Sequence, residues 1–314
     1  MLLHKNKEVF RQVLSATADD LGLESFQVEK DYYVSMFLEK LAKIESNIKI
    51  VFKGGTSLSK CYSIIDRFSE DIDLAVKFNN NKVTQGERKK LKKHILEIIK
   101  MLDMKFLNED EVKSGRDHNE YHVAYDNLFK ADTEMVPHII VETIVVYRPY
   151  PCEQMAVSNY VTKYLEENNR TELVKKYNLE PFEMMIQTVE RTFVDKLFAI
   201  CDYHLDSKYN RYSRHIYDIH MIWGSGKLDK DLMKEIIPKV VRDRQLFGKN
   251  NKSCNPSANP NDVLKEIVNK NVYKDDYDNV TSRFIYKMVD YETCIRSLKE
   301  IIELNIIPNK IQEY

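Results

Sequence analysis

Apolar residues recur at helical spacing from the start of the chain. Val9, Phe10, Val13 and Leu14 mark one amphipathic helix. Tyr32, Tyr33, Met36, Phe37 and Leu41 form the buried stripe of a second, running from about Val28 to Ile44. The period then changes. Ile48 to Phe52 is a short β-branched and aromatic run that ends at Gly54-Gly55, which reads as a strand entering a tight turn. Helical character returns from Thr56 to Ile65, and Asp71 to Phe78 (DIDLAVKF) reads as a second strand. Lys82 to Leu102 predicts a long basic helix with Leu91, Ile95, Ile98 and Ile99 facing inward. Further strands are expected at Tyr121 to Tyr125 and at His138 to Tyr147 (HIIVETIVVY).

Arg148-Pro149-Tyr150-Pro151 closes this strand-rich portion. Beyond it the pattern is helical to the end, interrupted near Trp223-Gly224-Ser225-Gly226 and by a polar stretch from Lys249 to Asp262, which reads as an exposed loop. The expectation is therefore an α+β fold. A small mixed sheet flanked by helices occupies residues 1–150, and a mostly helical domain follows in residues 151–314.

Composition narrows the class. Hydrophobic residues make up 43% of the chain and charged residues 31%, which suits a globular protein rather than a disordered one. The five cysteines are scattered, with no CxxC pair, so neither a disulfide framework nor a zinc site is expected. No apolar run approaches the about 20 residues needed to span a bilayer, and the first residues are too charged for a secretory signal. The expected location is the cytoplasm, with no membrane partner. A net charge of -1 argues against a protein that coats nucleic acid, yet leaves room for local basic patches. The run Arg88-Lys89-Lys90 with Lys92 and Lys93, and the pair Arg242 and Arg244, could supply them or could be ordinary solvated faces.

Candidate chemistry concentrates between Lys53 and Leu74, KGGTSLSKCYSIIDRFSEDIDL. A strand that runs through Gly54 and Gly55 into a helix lets backbone N–H groups approach a phosphate. Thr56 and Ser57 offer hydroxyls either to a phosphate or as caps of that helix. Lys60, one turn further on, could reach phosphate or remain in solvent. Asp71 and Asp73 sit at i and i+2 on a strand, so both carboxylates leave the same face. Their mutual repulsion calls for a cation, and hard oxygen ligands suit Mg2+. An edge strand with its polar face in water is the plain alternative, and the preceding Gly-Gly turn and helix make it the weaker one.

In this form the sequence resembles a known family. The Gly-Gly-Thr-Ser turn, helix and Asp-x-Asp strand resemble the first motif of polymerase-β-type nucleotidyltransferases. KGGTSLSK followed by RFSEDIDL is similar to the AbiEii family of bacterial abortive-infection toxins, which includes the MenT-type toxins. VEKDYYV (28–34), QTVERTFVDKLFAI (187–200) and SRHIYDIHMI (213–222) extend the resemblance in the same order along the chain. It implies a polymerase-β-like nucleotidyltransferase domain, nucleoside triphosphate as substrate, and Mg2+ or Mn2+ held by Asp71 and Asp73. It places Lys196 as the functional lysine and aligns Arg214 and Asp218 with the last motif.

A third metal-binding acid is expected by the same resemblance. Glu142, the lone acid in HIIVETIVVY, is the candidate, with an exposed strand position as the alternative. Lys196 would meet the triphosphate, or would snorkel from an apolar helix face. Arg214 and Asp218 stand one turn apart, so they could pair, or Asp218 could sit by Lys196. Ser69 and Arg67 lie in the loop before the metal strand, and Ser69 is grouped with the nucleotide-binding residues.

The resemblance further implies a toxin that transfers nucleotides to RNA, with the tRNA 3′ end favoured, and a separate antitoxin encoded alongside. Two other readings stay open: a nucleotide-binding regulatory protein without turnover, and transfer to a protein or small-molecule acceptor.

Overall fold

The computed structural model describes residues 2–78, 83–131, 135–246 and 251–313. They form two compact units. The first comprises residues up to Cys61, then Ser69–Val146 and Cys152–Ile186. The second comprises Tyr62–Phe68, Tyr147–Pro151 and Gln187 onward.

The first unit is built on a seven-stranded mixed sheet in the order β3-β4-β5-β2-β1-β7-β6. Its strands are β1 (Lys49–Lys53), β2 (Asp71–Lys77), β3 (Lys105–Phe106), β4 (His118–Ala124), β5 (Ile139–Ile144), β6 (Cys152–Val157) and β7 (Phe182–Gln187). Its helices are α1 (Lys7–Leu21), α2 (Ser25–Ala42), α3 (Gly54–Lys60), α4 (Gln85–Met101), α5 (Tyr160–Glu167) and α6 (Thr171–Tyr177). The central strands β2 and β5 run parallel, as do β1 and β7, while β1 and β2 are antiparallel. Alternation along them separates two faces. Phe52, Ile72, Leu74, Val141 and Tyr121 are buried on one, while Asp71, Asp73 and Glu142 are half-buried on the other.

Local signals explain most boundaries. Asn6 caps α1, which stops at Gly22 with a left-handed φ of 67°. Thr84 and Glu87 form a capping box, so α4 starts at Gln85; the expected start at Lys82 lies outside the described residues. The helix expected from Thr56 to Ile65 begins at Gly54 and ends at Lys60. It cannot continue through Ser63, whose φ of 52° is left-handed.

The portion after residue 150, expected to be mostly helical, also carries two strands, β6 and β7. β7 pairs with β1 at Phe52 and Ile186, and the first unit continues to Ile186. CEQMAV and FEMMIQ are rich in Met, Gln and Glu, which favour helices in isolation; pairing within the sheet overrides that preference.

The second unit is helical, with α7 (Val189–Leu205), α8 (Arg214–Gly224), α9 (Lys230–Leu246), α10 (Pro260–Lys270), α11 (Lys274–Asn279) and α12 (Tyr291–Glu303). α7 is buried along most of its length through Phe193, Val194, Leu197, Phe198 and Ile200, and packs on α8, α9 and α10. In the stretch expected as an exposed loop, Lys249 and Asn250 lie outside the described residues, and the rest alternates exposed with interior positions. Asn251, Ser253, Cys254 and Asn261 are buried, because their polar groups bond to Arg244, Asp202 and Ile302. Among the described residues no helix is long and apolar enough to cross a membrane.

Candidate active site

The acidic face of the first unit is set by strand register. Lys53 on β1 is opposite Asp73 on β2, Asp73 is opposite Glu142 on β5, and Glu142 is opposite Glu120 on β4. Residues paired in this way project to one face, so three carboxylates stand side by side with Asp71 two positions before Asp73. Like charges directly opposite across strands destabilise a sheet. A divalent cation among them would offset that repulsion, and the oxygen donors fit Mg2+ or Mn2+.

Gly54 shapes this row. It has a φ of 80°, and a β-carbon built there would lie 1.9 Å from Asp73 Oδ2. The bare side of the glycine is thus filled by the Asp73 carboxylate. The adjacent hydroxyls serve the same framework. Thr56 Oγ1 donates to the Asp71 carbonyl at 2.6 Å and lies 3.0 Å from Ser69 Oγ. Ser57 Oγ donates to the Gly54 carbonyl at 2.9 Å. Gly55, Thr56 and Ser57 are all buried. The structure places these groups as braces of the turn and of β2.

Lys60 is placed otherwise than its sequence position suggests. Its ammonium is buried, 2.5 Å from Asp31 Oδ1 and 2.6 Å from Ser35 Oγ, and burial lowers its pKa. It ties α3 to α2. Asp31 Oδ2 also accepts from Tyr160 N at the start of α5. Its neighbours on α2 act similarly: Lys30 holds Glu70, next to Asp71, at 2.5 Å, and Glu29 accepts from Leu128 N and Phe129 N.

A histidine that sequence reasoning passed over joins the acids. His118 Nε2 lies 3.7 Å from both Glu120 Oε1 and Glu142 Oε2. The Glu142 carboxylate beside it raises the His118 pKa against the effect of burial. Ligand atoms of His118, Glu120 and Glu142 fall within 4.8 Å of one another. This set does not include Asp71 or Asp73; Glu142 is the residue that links it to them through the register. The alternation His118-x-Glu120 on a strand was the available signal.

In the second unit, Asp218 on α8 is fully buried and holds two cations. Arg67 donates Nε and Nη2 to its two oxygens, both at 2.7 Å, and Lys196 Nζ donates at 2.6 Å. Burial alone would raise the Asp218 pKa; Arg67 and Lys196 outweigh it and hold the carboxyl well below the usual range. Burial, with Arg67 and Arg214 close by, lowers Lys196 while Asp218 opposes that shift. Of the sequence alternatives, the structure places Asp218 by Lys196, with Arg67 as a second cation on its carboxylate; Arg214 at the start of α8 is exposed. Arg67 was not expected in this role. Asp195, beside Lys196 in sequence, instead pairs with Arg191 one turn away at 3.1 Å.

Residues 36–302 match the family described as the nucleotidyl transferase AbiEii toxin of type IV toxin–antitoxin systems. Among solved structures, the chain is similar to MenT4, a nucleotidyltransferase toxin from Mycobacterium tuberculosis H37Rv. The identity is 19% and the TM-score 0.46, over 74% of this chain and 71% of that one. No curated protein matches the chain by sequence. The match spans most of the protein, from α2 to α12, and the chain belongs to the AbiEii family of nucleotidyltransferase toxins.

Proposed function

We propose that this nucleotidyltransferase moves a nucleotide from a nucleoside triphosphate to the 3′ end of an RNA, tRNA foremost, with Asp71, Asp73 and Glu142 holding divalent cations. One observation carries the reading. Asp73 and Glu142 are register partners on parallel strands, Asp71 shares their face, and Gly54 seats the Asp73 carboxylate. In such a transfer the acceptor hydroxyl attacks the α-phosphorus and the bond to pyrophosphate breaks. Mg2+ or Mn2+, when bound, supplies positive charge that eases deprotonation of the hydroxyl and stabilises the leaving group.

The chain's own part is to keep the carboxylates converged. Thr56 and Ser69 brace the start of β2, and Lys30 holds Glu70 beside it. In the second unit Asp218 orients Lys196 and Arg67, a cationic pair suited to phosphate oxygens. Arg214, exposed at the start of α8, is assigned to the same chemistry. A cognate antitoxin encoded alongside would restrain this activity in the cytoplasm, where both substrates are found.

The test is incubation with total tRNA, Mg2+ and each nucleoside triphosphate labelled in turn at its α-phosphate, beside Asp71→Ala. Label entering RNA with the wild type alone supports the reading and names the donor. Triphosphate binding without incorporation from any donor favours the regulatory or alternative-acceptor readings.

A further inference from the structure

The loop between α7 and α8 is held in a left-handed shape by contacts outside the Arg67–Asp218–Lys196 cluster. Arg211 takes a φ of 68°, a left-handed conformation that strains a residue with a β-carbon. The strain is maintained from α11. Asp276 accepts from Arg211 N at 2.6 Å and from Ser213 N at 2.9 Å. Ser213 Oγ is fixed at 2.7 Å from Thr281 Oγ1, and Tyr273 OH donates to the Lys208 carbonyl.

Tyr212 on this loop joins a ring from each flanking helix, Tyr203 of α7 and His215 of α8. Tyr212 lies on Tyr203 with centroids 3.8 Å apart and planes at 24°. The His215 imidazole is nearly parallel to Tyr212, at 14°, and 5.5 Å from the Tyr203 centroid. All three side chains are only partly buried, and Arg211 and Arg214 on either side of Tyr212 are exposed. The stack borders the cationic cluster: His215 is one turn before Asp218 on α8. Burial and the charges of Lys196 and Arg214 hold the His215 pKa well below its usual value.

We propose that Tyr203, Tyr212 and His215 form a stacking platform for a nucleobase, with Arg211 and Arg214 receiving the neighbouring phosphates. Aromatic faces flanked by arginine are a general means of holding unpaired bases, because every base has a π-face and every nucleotide a phosphate. The platform rests on the nucleotidyl-transfer reading and deepens it by naming where a base is held. The base belongs either to the donor triphosphate or to the unpaired end of the acceptor RNA, and the two sources separate experimentally.

The experiment measures KM for triphosphate and for tRNA separately, with kcat and thermal midpoints, in wild type, Tyr212→Ala and Tyr212→Phe. Equilibrium binding of the triphosphates and of a short oligoribonucleotide accompanies it. Loss of one stacking ring predicts a roughly 10- to 100-fold rise in one KM for Tyr212→Ala. Phenylalanine, which keeps the ring, restores it. A rise confined to triphosphate assigns the donor base, and one confined to tRNA assigns the acceptor base. Both KM values unchanged in Tyr212→Ala, or a loss confined to kcat with a lowered thermal midpoint, overturns the platform. Should the wild type transfer no label, the transfer reading fails, and the binding arm decides the platform. Weaker nucleotide or oligonucleotide binding by Tyr212→Ala, restored by Tyr212→Phe, supports it. Equal binding by all three proteins, or none by the wild type, overturns it.

Discussion

Gly54 and Asp73 occupy one another's space: the glycine has no side chain because the aspartate carboxylate sits where one would be. Gly54→Ala therefore displaces Asp73 while removing no ionisable group. A shift of about 1 Å at a reacting centre can cost about 100-fold in rate. The expected result is a kcat reduced by that order with a raised Mn2+ requirement, measured by titrating the cation at saturating triphosphate. Asp218 gives a prediction about stability. Asp218→Asn leaves Arg67 and Lys196 buried against a neutral amide, and removing one partner of a buried pair costs about 3–5 kcal/mol.

The pH dependence follows from the direction of the Asp218 shift. Its folded pKa lies below the ordinary 3.8, so its stabilisation is present above that value and is lost as pH falls through the folded pKa. Urea midpoints of wild type and Asp218→Asn should differ by a constant amount near neutrality and converge below about pH 4. Asp71 and Asp73 were legible because two aspartates on a strand need a reason. Arg67 was not, because its partner is 151 residues away and nothing local marks it.

At the scale of elements, α2 shows what apolar periodicity leaves out. The periodicity locates the helix but is silent on Glu29, Lys30 and Asp31. All three are buried, and each fastens a different segment: residues 128–129, Glu70 and the start of β2, and α3 with α5. Buried charge of this kind is tolerated only when paired. A double-mutant cycle on Asp31→Asn and Lys60→Met should return a coupling of about 1–3 kcal/mol in urea unfolding; additive effects would contradict the buried pair. The register of β5 lay beyond the sequence, since a one-residue slip turns Glu142 to the other face. Pairing of Asp73 with Glu142 fixes it. β6 and β7 escaped detection because their residues favour helices and their strand identity comes from neighbours in the sheet.

At the scale of the whole molecule, the α+β class and the association of a Gly-Gly turn with paired aspartates were readable from periodicity and spacing. The division into units was not. The chain returns to the first unit after residue 151, and contacts between distant segments leave little trace in a single sequence. The net charge of -1 is compatible with the proposed grip on one part of an RNA and argues against coating it.

The central claim is that the acid row on the sheet performs nucleotidyl transfer. Its most direct test compares α-labelled with γ-labelled triphosphate, incubated with tRNA and Mg2+, for wild type, Asp73→Asn and Glu142→Gln. The account predicts label in RNA from the α position only, with losses of about 100-fold or more in both variants. Incorporation from the γ position, or full activity in Glu142→Gln and Asp73→Asn, would contradict it.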